Sequence, residues 1–132
     1  MDDQTALDAL LDWLDGRYRD VMDAERQALD KLRNGDTPGH NGLMRRKAQL
    51  LADMAGDAAH LLDALPEEAR GRFAEALRRF SASARLSLKL GSVFYMSALL
   101  YPDDHQPGQP DNLKLCLRAM REQGLGYARK GA

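Results

Sequence analysis

A chain of 132 residues with 44% hydrophobic and 30% charged side chains has the length and composition of one globular domain rather than a disordered segment. Its net charge of -1, spread without long runs of one sign, removes the usual electrostatic argument for binding nucleic acid. A single cysteine, Cys116, excludes an intrachain disulfide and reads as a small apolar residue on a helix.

In chain order, Thr5 to Arg33 comes first. Its apolar positions are spaced four, three, four, three (Leu7, Leu11, Leu14, Tyr18, Val21), then Glu25, Ala28 and Leu32. That is the seam of a helix packed lengthwise on other helices. Leu10, Met22 and Leu29 widen the face, and Trp13 falls at its edge. Asn34 to Gly39 is a cluster of helix breakers, with Gly35 suited to a C-terminal cap and Asp36 or Thr37 to the next N-cap. The second periodic run is Leu43, Lys47, Leu50, Met54, Ala58, Leu61 and Leu65. Pro66 then opens a third helix, with Glu67 and Glu68 in its first turn, expected to run unbroken through Tyr101 to Pro102. Residues 102 to 112 hold three prolines and a glycine and read as a linker. Leu113, Cys116, Leu117 and Met120 form a short amphipathic segment that needs a surface to fold on, because isolated helices below roughly 12 to 15 residues are marginal. The expected fold is therefore all-α. Residues 1–101 make an antiparallel bundle of three long helices, and 102–132 a linker and short fourth helical segment of the same domain.

Glu25 and Lys47 each fall where the periodicity demands an apolar side chain. Each lies about two turns from the first loop, so an antiparallel hairpin brings them level and they are expected to pair. Such a pair contributes little net stability and sets register between two leucine faces.

From Leu86 onward the third helix loses its polar side: Leu90, Val93, Phe94, Met96, Leu99, Leu100 and Tyr101 spread around it. A helix apolar all round must be covered. Either the Leu113, Leu117, Met120 face covers it, permanently or until displaced, or another chain does. A partner helix laid on this surface would use the helix-in-groove mode.

Catalytic and metal patterns are missing from the sequence. There is no Glu-x-x-His, CxxC or Gly-rich phosphate loop, and His60 lacks the nearby lysine usual in phosphotransfer bundles. The expectation is a protein without enzymatic activity or cofactor. The polar start MDDQ carries no signal-peptide pattern, and the longest charge-free run, 90–101, is too short to span a bilayer. A cytoplasmic protein without membrane insertion is expected.

A first helix with Tyr18 and then Glu25 on the packing face, the Glu25-x-x-x-Leu29 step, a Gly-Asp turn and Lys47-x-x-Leu50-Leu51 together resemble the FlgN-like flagellar export chaperones. The match covers roughly residues 7 to 101. The resemblance implies a chaperone that holds secreted hook-filament junction proteins (FlgK/FlgL-like) and presents them to the type III export gate. It implies substrate binding in the C-terminal region and a C-terminal tyrosine docking at the gate, with Tyr127 the best match by position and Tyr101 the competitor. The sequence departs from the family in having no asparagine between Leu43 and Asp111. The alternative is a structural bundle whose third helix is a homodimer interface.

Overall fold

The protein is described here from a computed structural model over residues 2–126. Among them every regular element is helical. We label the helices α1 (Asp3–Arg33), α2 (Thr37–Ala52), α3 (Met54–Asp57), α4 (Ala59–Leu62), α5 (Glu67–Leu90), α6 (Val93–Ala98) and α7 (Asn112–Gln123).

Helix α1 starts at an N-cap, Asp2, whose carboxylate accepts from the Thr5 amide at 2.7 Å. After Arg33 the chain turns through Gly35 at φ +77, a left-handed conformation that glycine adopts without a Cβ penalty. Asp36 then caps α2 by accepting from the Gly39 amide at 2.8 Å. The two helices run back along each other. The leucine face of α1 (Leu7, Leu10, Leu14, Val21) is buried with Leu51 and Met54 from the return strand of the hairpin and with Phe73 and Leu77 of α5.

The second helix was expected to run to Leu65 but ends at Ala52, with two single turns, α3 and α4, completing the path. The cause is competition for its carbonyls. Leu50 O accepts from Arg17 Nη1 at 2.7 Å, Leu51 O from the Ser81 hydroxyl at 2.8 Å, and Ala52 O from Arg85 Nη1 at 3.3 Å. The Ala55 amide, which would normally reach Leu51 O, donates instead to Ser81 Oγ at 3.1 Å. A hydroxyl inserted into an i→i−4 ladder breaks or kinks a helix, and here it does so from a neighbouring helix.

The third helix is also shorter than expected. It stops at Leu90 because Gly91 takes φ +62 and closes a Schellman cap: Gly91 N–H to Leu88 O at 3.0 Å and Ser92 N–H to Ser87 O at 3.2 Å. Ser92 then caps α6, accepting from the Tyr95 amide at 3.1 Å. Gly-Ser is thus an end and a beginning, and α6 is free to leave the line of α5. Met96 anchors it on Ala28, Met44 and Ala48 towards the turn end of the α1–α2 hairpin, in a small core separate from the main one.

Helix α7 is the fourth packing element. Leu113, Leu117 and Met120 are buried in the main core against α1 and α5. Its ends are held by polar contacts: Asp111 to Tyr18 at the start, and Arg72 to Gln123 at 2.8 Å, with an Arg121–Asp15 ion pair, towards the finish.

Candidate functional site

Two features stand out at the α6 end of the molecule: a buried polar hub and, beside it, an open apolar groove.

The hub is built on Lys47, which is wholly buried. Its ammonium lies 3.2 Å from Glu25 Oε1 and donates to the carbonyls of Ser97 at 3.1 Å and Leu99 at 3.0 Å. Three N–H groups therefore meet three acceptors, the condition under which a buried ammonium is tolerated. Burial pushes the Lys47 pKa below its ordinary value, with the Glu25 carboxylate opposing that shift. The two carbonyls lie at the C-terminal end of α6, so Lys47 satisfies orphan acceptors at the negative end of that helix. Above the ammonium lies the Tyr101 ring, 5.1 Å to its centroid. The Tyr101 hydroxyl donates to Glu25 Oε2 at 2.6 Å, occupying the second carboxylate oxygen.

A parallel contact sits one step away. Tyr18 Oη donates to Asp111 Oδ2 at 2.5 Å, and Asp111 Oδ1 accepts from the Lys114 amide at 3.0 Å, capping α7. Burial first, and then the carboxylate partners, push the pKa of both tyrosines well above the ordinary range. Between the two halves Leu100 takes φ +78, uncommon for a residue with a Cβ. It persists because its neighbours are fixed on both sides: Leu99 O by Lys47, and Leu100 O by the Asn112 amide at 2.9 Å. One cluster thus ties α1, α2, the end of α6 and the start of α7 together.

The groove lies against this hub. Its volume is about 480 Å³, with Ser83, Leu86, Ser87 and Leu90 of α5 on one wall, Tyr95 and Ala98 of α6 opposite, and Leu99 to Tyr101 with Asn112 closing one end. A smaller hollow of about 180 Å³ shares Ser83, Leu99, Leu100 and Asn112 and carries the depression on to Phe80 and Arg79. Leu90 at 58%, Leu86 at 56% and Tyr95 at 53% line the groove while largely exposed, and Phe94 at 74% stands beside it, its ring edge-on to Tyr95 at 5.7 Å.

Sequence reasoning placed ten residues on a partner surface. Leu90 and Phe94 are exposed, and Val93, Leu99 and Tyr101 are half-buried. Met96, Leu113, Leu117 and Met120 are buried, because the break at Gly91 turns Met96 inward and α7 packs its apolar stripe against α1 and α5, and Leu100, also buried, meets the groove at its closed end. The groove is thus not filled by α7, although Asn112 borders it. Leu86 and Tyr95 belong to the rim, and their place in the all-round apolar stretch was the signal that could have found them. Tyr101 is engaged with Glu25, and Tyr127 lies outside the described residues.

Among the described residues no three or more His, Cys, Asp or Glu side chains gather as a metal site, and no helix is long and apolar enough to cross a membrane. Cys116 is half-buried, and burial pushes its thiol pKa up, away from the thiolate. Comparisons with protein-family models, with curated proteins and with solved structures find no match for this chain.

Proposed function

We propose that the protein is a cytoplasmic, non-enzymatic chaperone of the FlgN-like flagellar export type, built on an antiparallel core of α1, the α2–α4 path and α5. Its clients are secreted hook-filament junction proteins (FlgK/FlgL-like), held by an amphipathic helix in the α5–α6 groove until delivery to the export gate. The observation that carries this reading is the exposed row Leu86, Leu90 and Tyr95 lining a concave apolar groove, with Phe94 beside it; the other exposed large apolar side chains among the described residues, Leu29, Leu32 and Leu115, border no such groove. The Tyr18, Glu25 and Lys47 pattern supports the family assignment, since these residues meet in the hub that shapes one end of the groove. Tyr127 is proposed to dock at the export gate.

The test is calorimetric titration of the full chain with C-terminal segments of FlgK/FlgL-like hook-filament junction proteins. Binding that is lost in Phe94→Asp and Leu90→Ser is expected. Undiminished binding in those variants, or none by the parent chain, would contradict the reading. A concentration-dependent dimer abolished by Phe94→Asp would instead make the groove a homodimer interface.

A further inference from the structure

Charge is distributed unevenly around the groove. Eight of the chain's 20 acidic residues lie on α1, whereas Ala76 to Pro102 contains none and carries Arg78, Arg79, Arg85 and Lys89. The carboxylate nearest before that stretch, Glu75, is shared by Arg78 and by Arg79 at 3.6 Å, so two guanidinium groups face one anion. Arg85 donates only to a neutral carbonyl, Ala52 O, and Lys89 is exposed and forms no ion pair among the described residues. On the helical wheel Lys89 stands about 60° from Leu86, on the solvent side of that wall, whereas Arg85 lies further round towards Ala52; Arg79 lines the adjoining hollow. One wall of an apolar groove is therefore edged and ended by cations in excess.

Resting on the groove reading above, we propose that the occupant is an acidic amphipathic helix of a different protein, its leucine-type stripe in the groove and its carboxylates along the Lys89 edge and at the Arg79 end. The dimensions fit: Arg79 to Leu90 is 12 residues of α5, a rise of roughly 17 Å, or about three turns of a client helix. A second copy of this chain fits poorly. A two-fold contact sets the same patch against itself, bringing Arg79 and Lys89 of one copy towards those of the other. A lipid surface is also a poor fit, because a bilayer leaves a concave groove unfilled.

The experiment uses the full chain and three labelled synthetic helical peptides of about 18 residues with one shared leucine stripe, flanked by Glu, Gln or Lys, read by fluorescence anisotropy. The Glu peptide is expected to bind about tenfold tighter than the Gln peptide at low salt, the margin closing as salt rises. Arg79→Glu/Lys89→Glu, both at exposed positions, should reverse the order in favour of the Lys peptide. Equal binding of all three peptides, still lost in Phe94→Asp, overturns the charge assignment and leaves the groove reading standing. Absence of binding by any peptide, or binding indifferent to Phe94→Asp, overturns both. A Phe94-dependent dimer in sedimentation would name a second copy as occupant. Phe94-dependent binding to phosphatidylglycerol vesicles without peptide binding would name a membrane, and either result overturns the proposal.

Discussion

The polar hub and the groove beside it are both made from side chains that break the ordinary rule of their positions, in opposite senses. At the hub, Lys47 and Glu25 place charge where the seam calls for leucine, and every Lys47 donor and both Glu25 oxygens find a partner. At the groove, Phe94, Leu90 and Leu86 place apolar surface where solvent calls for charge, and among the described residues they stay more than half exposed, the Phe94 ring set edge-on to Tyr95. An anomaly that is satisfied internally is structural, and one left open points outward. The two adjoin through Leu99 to Tyr101, so the satisfied one shapes the edge of the open one.

The comparison can be broken first at Lys47. Lys47→Met leaves Glu25 without its cation and two α6 carbonyls without donors, and is expected to cost about 3 kcal/mol in denaturant unfolding. Adding Glu25→Gln, which keeps an oxygen for Tyr101, should recover part of that loss. A double variant less stable than Lys47→Met alone would show that the pair is not the unit proposed.

Next is Ser81→Ala, which strips the hydroxyl that bridges Leu51 O and the Ala55 amide. A loss of about 2 kcal/mol in thermal or chemical unfolding is expected if both groups stay unpaired. A negligible change would mean that α2 simply closes its own ladder through Asp53.

The tyrosines sharpen the comparison through pH. Both pKa values are raised in the folded protein, so Tyr18 and Tyr101 contribute stability that is fully present below about pH 10 and lost as pH rises above it. Alkaline unfolding followed by tyrosinate absorbance should show both ionising together with loss of structure, and Tyr101→Phe should flatten that dependence. Ionisation of either at ordinary pH within an intact fold would contradict the hub geometry.

The smallest effect belongs to the groove. Phe94→Asp should change stability by no more than about 0.5 kcal/mol, because the ring is largely in solvent.

How much of this was legible in the sequence depended on whether the signal was local. The α1 seam, the Asn34 to Gly39 turn and the Glu25–Lys47 register follow from periodicity and turn chemistry, which are written in neighbouring residues. Gly91-Ser92 was legible in kind but was overridden by the apolar run around it, and so Met96 was placed on the surface. The end of α2 was not legible, since it depends on Arg17, Ser81 and Arg85 arriving from other helices to take three consecutive carbonyls. The same holds for α7: its stripe was visible, but not that Tyr18 and Asp111 would fix it on α1, away from the groove.

Native-state hydrogen exchange on the free chain tests most directly whether one anomaly is closed and the other open. Amides of α7 from Leu115 to Met120 should be protected to the same limit as those of α1 and α2, while α6 exchanges through a smaller opening of its own. Immediate exchange of α7 would contradict the account, since it would mean that the C-terminal helix is not fixed by Asp111 and that its apolar stripe is itself an exposed surface.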